Sequence, residues 1–290
     1  MNPMWRRWPG TGWGIAACVL TLPIALHAQA QTAARPPDTS ARAVVARAVE
    51  YIKEYQQTLQ FVLADEVTVQ EVFNRTGNRV ARRETSGEYF LTYLAADGGW
   101  IGVRDIAMVD GQPVANRDNL RELLSRGSVA RIGRQLADRN AQYNIGSVRR
   151  NFNDPMLALV ILDDKHRGRF KFDRRRVEAT PTGRLVTVAF TERDGPTLVR
   201  STDGSYVFTK GELVIDAATG HIHRTAVTLK IDSTEAKLTT TFSRNDKIGL
   251  WLPASFSEQY NHASGDLKET VAVDSTYTNY RRFNVNVIIK

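Results

Sequence analysis

From residue 168 to residue 287 the chain reads as β-strands and nothing else. Thr225, Val227, Leu229 and Ile231 alternate with polar neighbours, and so do Leu238, Thr240 and Phe242. A period of two puts one set of side chains on one face of a strand and the other set on the opposite face. Turn signals cut the run at Pro181-Thr182-Gly183, Asp194-Gly195-Pro196, Asp203-Gly204, Ala218-Thr219-Gly220, Asn245-Asp246 and Ser264-Gly265. The pieces between them are 168–178, 184–193, 196–201, 206–216, 221–231, 236–244, 252–261 and 267–287. Short connections and one apolar face define an antiparallel sheet covered on one side. A sheet of that size must curl, close or be covered.

The first half of the chain supplies the cover. Ser40 is placed to cap a helix, after which Val45, Ala48, Ile52, Tyr55, Leu59 and Val62 recur at spacings of three and four. Arg42, Arg47, Glu50, Lys53, Glu54 and Gln57 fall on the opposite side. The period then changes to two from Val67 to Tyr93, with a turn at Gly77-Asn78. Another strand follows through Trp100, Val103, Ile106 and Met108, closed by Asp110-Gly111. Residues 118–143 return to helical spacing. Asp154-Pro155 is a helix start, and Met156–Leu162 is nearly all apolar, which predicts a buried helix.

These signals predict an α+β fold, mostly antiparallel β. It is a strongly curved sheet or incomplete β-barrel of about eleven strands. An N-terminal helix and a central helical insertion at about 117–162 are expected on its concave face. Residues 40–290 read as one curved-sheet domain, preceded by a flexible lead-in at 31–39 (QTAARPPDT).

Residues 1–30 read as a secretory signal peptide. Arg6 and Arg7 form a basic start, Ile15–Leu26 is a twelve-residue apolar run, and Ala28-Gln29-Ala30 is a small-x-small cleavage pattern. The run falls short of the ~20 residues a membrane-spanning helix needs. Ile15-Ala16-Ala17-Cys18 resembles a lipoprotein box, but most of the apolar run follows the cysteine instead of preceding it. Cleavage would leave a chain with no cysteine, carrying +6 of the formal +8 once Arg6 and Arg7 are gone. Disulfides are then excluded as a source of stability. The expected location is periplasmic or secreted, with no transmembrane segment after the leader.

Charge is concentrated in two places. Residues 117–150 hold eight arginines against Asp118, Glu122 and Asp138. The second cluster gathers Arg167, Arg169, Lys171, Arg174, Arg175 and Arg176 around Asp173. Arg167, Arg169, Arg174, Arg175 and Arg176 are the candidates for an anionic headgroup or a protein partner. Trp100, Trp251 and Phe256 are the candidates for the wall of a ligand cavity. Nucleic acid is not expected, because the arginines are interleaved with few stacking rings.

Catalytic and cofactor signatures are missing from the sequence. There is no G-x-S-x-G, no G-x-G-x-x-G and no P-loop. His221-Ile222-His223 puts two imidazoles on one strand face, yet Asp216 lies across a turn and a zinc site needs three or four ligands. No catalytic residue, cofactor or metal is therefore assigned.

Gly99-Trp100-Ile101-Gly102-Val103-Arg104-Asp105-Ile106 runs into Val109-Asp110-Gly111-Gln112-Pro113-Val114, and Asn153-Asp154-Pro155-Met156 and Thr276-Tyr277-Thr278-Asn279-Tyr280 follow. This resembles a family of uncharacterised secreted bacterial proteins with a W-x-x-x-R-D…V-D-G-x-P-V core. That resemblance implies export and a shared fold. Gly211–Asp216, Thr219-Gly220-His221-Ile222 and Leu250-Trp251-Leu252-Pro253 are similar in rhythm to periplasmic lipoprotein carriers of the LolA type. Such carriers are incomplete barrels whose apolar cavity, closed by helices, holds acyl chains. The function expected on this basis is a non-enzymatic binding or carrier protein for a lipid or acyl-chain-bearing ligand, with a lipid or lipoprotein as the expected partner. The alternative is an envelope structural or protein-interaction protein with a filled core.

Overall fold

A computed structural model describes residues 36–59, 61–94, 99–117, 120–126, 128–148, 150, 154–201 and 203–283. The expected leader at 1–30 lies outside the described residues. Residues 37–290 make up a compact unit of their own.

Helix α1 spans Ala41–Thr58, and its cap is the one read from sequence: the Ser40 side chain accepts a hydrogen bond from the Ala43 amide at 3.3 Å. Strands β1 (Val62–Phe73), β2 (Arg79–Leu94) and β3 (Gly99–Val109) follow as a meander, with a two-residue β4 (Gln112–Pro113) folded back on β3. Asp110 and Gly111 join them with φ of 49° and 79°, the paired positive angles of a tight hairpin turn. Helices α2 (Leu120–Arg126) and α3 (Val129–Asn140) come next, then an apolar 3₁₀ segment (Leu157–Leu162) and the single-turn α4 (Asp164–Arg167). The remaining strands are β5 (Phe170–Thr180), β6 (Gly183–Glu192), β7 (Val199–Arg200), β8 (Tyr206–Val207), β9 (Lys210–Asp216), β10 (Ile222–Ile231), β11 (Thr234–Asn245), β12 (Leu250–Ser264) and β13 (Leu267–Arg282).

Eleven strands form one antiparallel sheet in the order β4-β3-β2-β1-β13-β12-β11-β10-β9-β6-β5, while β7 and β8 pair apart from it. The sheet stays open, because β4 and β5 are its two edges. It is nonetheless curled. On a flat sheet β3 and β5, nine spacings apart, would stand about 43 Å from each other. The 18-residue α1 is about 27 Å long. Yet Tyr55 of α1 lies 5.6 Å from the Trp100 ring of β3, and Arg174 of β5 donates to Thr39 just before the helix at 3.3 Å. The helix and its cap thus contact both flanks, in keeping with a sheet that curves around them.

The inner face of that bend holds the main core. Val44, Ala48, Val49, Ile52 and Tyr55 of α1 pack with Leu159 and Ile161 of the 3₁₀ segment onto side chains from β1, β2, β6 and β9–β13. The expected buried helix after Asp154-Pro155 is thus a buried 3₁₀ segment. Only a short apolar stretch fits between α1 and the sheet before Asp163 turns extended.

Part of the helical insertion departs from the expected concave placement. Leu120, Leu124, Val129, Ile132 and Leu136 of α2 and α3 form a second cluster with Leu63, Phe90 and Val103. Leu63 and Phe90 neighbour Ala64 and Leu91, which belong to the inner cluster, so α2 and α3 cover the outer face of β1–β3. The physical reason lies in those strands. They are apolar on both sides near their paired ends, and a two-sided apolar strand needs two covers.

Asp105 locks the outer cover. Its side chain is fully buried, and Arg117 and Arg139 reach it at 2.7 and 3.3 Å. Replacing Asp105 by Ala leaves two partly buried guanidinium groups facing each other. The expected loss is about 2 kcal/mol, below the ~3–5 kcal/mol of a fully buried pair because both arginines keep some contact with water. Urea unfolding of Asp105→Ala against wild type measures it, and an unchanged midpoint would contradict this role.

Candidate functional site

Helix α1 lies in the mouth of the curled sheet like a bar across a trough, leaving a groove along each flank. The groove towards β5 is an open depression of about 550 Å³. Its floor is Val45 and Val49 from α1 with Phe170 and Phe172 from β5. The Phe170 ring stands 5.9 Å from Phe190 at 77°, which fixes its orientation. Arg42, Lys53 and Arg167 form a cationic rim with Glu50 among them. Asp164 draws Lys53 and Arg167 together, at 3.3 and 2.9 Å. Lys53 also pairs with Glu50 at 3.3 Å, so three cations and two carboxylates share the rim.

The groove on the other flank, about 780 Å³, runs between α1 and the turn after β9. Arg47, Glu50, Lys53 and Glu54 give it mixed charge, and Tyr51, Thr219 and His221 line its base. Gly220 takes φ 77°, and a Cβ there would lie 2.4 Å from the Arg47 carbonyl oxygen, so the turn presses directly on the helix backbone. Behind it the Trp251 ring is 4.3 Å from His223 and 5.4 Å from His221. Burial lowers the affinity of both imidazoles for protons. Among the described residues no three His, Cys, Asp or Glu side chains gather as a metal site requires. No described helix is long and apolar enough to cross a membrane.

A third feature lies beside residues 143–148, 150 and 154–156. Arg104 Nε donates to both carboxylate oxygens of Glu66, at 2.8 and 3.0 Å, and its Nη2 donates to the Tyr277 hydroxyl at 3.2 Å. The guanidinium carbon sits 5.2 Å from the Tyr89 ring centre. Gln70 ties these residues down, donating to the Tyr143 carbonyl at 3.2 Å and accepting from Arg150 and from the Ile145 amide. Asp154 accepts from the Met156 amide at 2.7 Å, and Tyr260 donates to Glu258. Burial raises the proton affinity of Asp154 and Glu258 above the ordinary carboxylate range. Each carboxylate here already faces an arginine, a tyrosine or a backbone amide, so the cluster works as an internal fastener.

The sequence candidates separate. Phe256 is 1% exposed and belongs to the main core. Trp100 is half-buried against Tyr93 and Tyr55, and Trp251 is half-buried against the two histidines. None of the three lines either groove. Arg167 is on the rim of the groove beside β5. Arg169 donates to His166 Nδ1 next to it. Arg174, Arg175 and Arg176 are exposed on the edge strand, Arg174 bonded to Thr39 and Arg176 to Glu178 at 2.7 Å. The register shifts between Arg174 and Arg176. Charge and a bulge on an edge strand also keep it from pairing with another sheet. Val45, Phe170 and Phe172 were legible only as a helix stripe and as rings near arginines. Their meeting across a groove has no signature in sequence.

No family model matches the chain, and no curated protein matches it. Among the solved structures similar to it are three. One is a protein domain from Vibrio parahaemolyticus described as outer membrane lipoprotein-sorting, at 10% identity over 82% of this chain and 92% of that one, with a TM-score of 0.39. Another is a DUF1329 family protein from Desulfovibrio piger, at 13% identity over 86% and 95%, TM-score 0.40. The third belongs to the Pseudomonas aeruginosa MucA/MucB complex, at 10% identity over 82% and 99%, TM-score 0.19. At these identities and scores they bring neither a ligand nor an activity to this chain. The pattern from Trp100 to Val114 likewise has no family model behind it.

The Glu258 carboxyl gives a pH test. Its affinity for a proton is higher folded than unfolded, so across that window the folded chain holds more protons and stability falls as pH rises. Glu258→Gln keeps an acceptor for Tyr260 and removes the buried charge. It is expected to melt at or above the wild-type temperature at pH 7, with the difference closing towards pH 4 as the wild-type carboxyl takes up its proton. A large destabilisation at pH 7 would show that the charge itself is required.

Proposed function

We propose that this protein is an exported, non-enzymatic carrier that binds an anionic amphiphile beside helix α1. The observation that carries the reading is the groove towards β5. Val45, Val49, Phe170 and Phe172 offer an apolar floor, and Arg42, Lys53 and Arg167 offer charge at its mouth. A hydrocarbon chain laid on that floor leaves water, and its headgroup meets cations at the rim without itself being buried. The ligand class is a fatty acid, phospholipid or lipid-modified polypeptide, which share this chemistry. The periplasm or the extracellular space is the compartment that goes with the reading.

A second reading keeps one specific observation on its side. The inner face is filled by the chain's own α1 and 3₁₀ segment, with Ala48, Leu159 and Ile161 between 0% and 2% exposed. A filled interior suits an envelope protein that holds a protein partner.

Native mass spectrometry followed by organic extraction, with displacement of a fluorescent fatty acid in solution, separates the two. The carrier reading expects bound lipid and saturable displacement. Reversing the rim with Arg42→Glu and Arg167→Glu is expected to weaken a long-chain carboxylate by about tenfold, as two exposed ion pairs allow. It should leave an uncharged long-chain alcohol almost unchanged. Ala46→Trp, on the exposed side of α1 and against both grooves, is expected to reduce both ligands. A protein that takes up no amphiphile removes the carrier reading in favour of the second.

A further inference from the structure

The small β7–β8 hairpin is built more firmly than its two-residue strands require. Val199 and Val207 point inward and are buried in the main core at 7% and 5% exposure. Buried Glu192, at the end of β6, holds the root by accepting from the Leu198 amide at 2.9 Å, the Thr209 amide at 3.1 Å and the Thr209 hydroxyl at 2.9 Å. Thr197 adds a brace, donating to the Val199 carbonyl at 2.6 Å and accepting from the Val207 amide at 3.3 Å. This rigid base presents two large aromatics outward. Tyr206 is 50% exposed and Phe208 49%, their rings 6.5 Å apart at 87°. The Arg200 guanidinium carbon stands 4.9 Å from the centre of the Tyr206 ring.

Two facts point to what this surface meets. The first is charge. Arg193, Arg200 and Lys210 are exposed along the hairpin and its two roots, and Arg200 is the one that stands over a ring. Of the three acids between residues 192 and 210, Glu192 is buried at the root and Asp203 is taken up by the turn, accepting from the Ser201 and Ser205 side chains and the Ser205 amide. Asp194 is the exposed one. The second is position. The Arg193 amide donates to the Arg169 carbonyl at 2.9 Å, so the root of the hairpin adjoins the stretch 167–172 that walls the groove beside β5. The cationic edge strand, with Arg174, Arg175 and Arg176, leads away from the same corner.

We infer that the β7–β8 hairpin docks this protein on an anionic lipid bilayer, seating Tyr206 and Phe208 at the headgroup boundary with the groove mouth beside them. Aromatic rings with cations next to them settle at that depth, where the ring leaves water and the charge stays with lipid phosphate. The docking rests on the chemistry of the hairpin alone. Its use, passing an amphiphile between bilayer and groove, rests on the carrier reading.

Flotation with vesicles tests it, using the purified protein and vesicles of phosphatidylcholine alone or mixed with phosphatidylglycerol. Binding to the anionic vesicles is expected, weakening as salt is raised, with little on phosphatidylcholine alone. Tyr206→Ser with Phe208→Ser is expected to reduce it roughly tenfold or more by removing most of the apolar contact. It should leave the melting temperature and fatty-acid displacement in solution at wild-type values, because both side chains are outside the core and outside the grooves. A Phe208→Trp variant, which keeps the aromatic character, should retain binding and show a blue-shifted emission on anionic vesicles alone. Equal binding by the double serine variant and wild type would overturn the inference. So would no vesicle binding by the wild type, including the case where the protein instead self-associates. Amphiphile uptake without vesicle binding would overturn the docking and leave the carrier reading standing. Vesicle binding without uptake would do the reverse.

Discussion

Everything in this molecule follows from the need to cover one apolar face of an open eleven-stranded sheet. An antiparallel sheet with hydrophobic residues on one side is stable only when that side is taken out of water. Here a single amphipathic helix and a short apolar segment do most of the covering. The sheet bends around them until α1 touches β3 at one end and meets β5 at the other. A cylinder lying in a trough leaves two furrows, so the grooves beside α1 are a direct geometric result of covering a wide sheet with one narrow helix.

Two kinds of electrostatics divide the labour. Inside, charges are few and each meets a partner. Arg104 faces Glu66 and Tyr277 on the inner side of β3, and its neighbour Asp105 faces Arg117 and Arg139 on the outer side. One strand thereby places an engaged charge on each face of the sheet, using the alternation of adjacent side chains. Outside, the arginines of β5 line a free edge. Repulsion along that edge discourages pairing with a second sheet. The other flank is closed differently: Asn140 donates to the Arg104 carbonyl at 2.8 Å, and α3 lies over the outer face of β3.

Much of the local structure was legible in the residues. The Ser40 cap, the stripe from Val45 to Leu59, the Asp110-Gly111 turn and the strands between β9 and β13 stand where spacing put them. These features depend on contacts a few residues apart, which periodicity records. Other features escaped for the same reason. The alternation around Leu63 and Phe90 is broken, because Ala64 and Leu91 beside them are apolar too. A broken alternation shows that a strand is covered twice, without showing by what. Trp100, Trp251 and Phe256 were sensible cavity candidates as large apolar residues near turns. Size does not distinguish a ring that fills a core from one that walls a groove.

The sequence by itself determined most of the helix and strand segments, that one face of the sheet is apolar, that β5 is basic, and that α1 must lie on something apolar. Those are properties of composition and period. Only the tertiary structure decided that β13 inserts between β1 and β12, pairing Val67 with Thr276 across the length of the chain. Only it decided that α2 and α3 go to the outer face while the 3₁₀ segment goes to the inner one, and that Phe170 meets Val45. Each of these joins residues far apart in the chain. Their pairing is chosen by the total area buried when the sheet curls, a quantity that no window of local sequence contains.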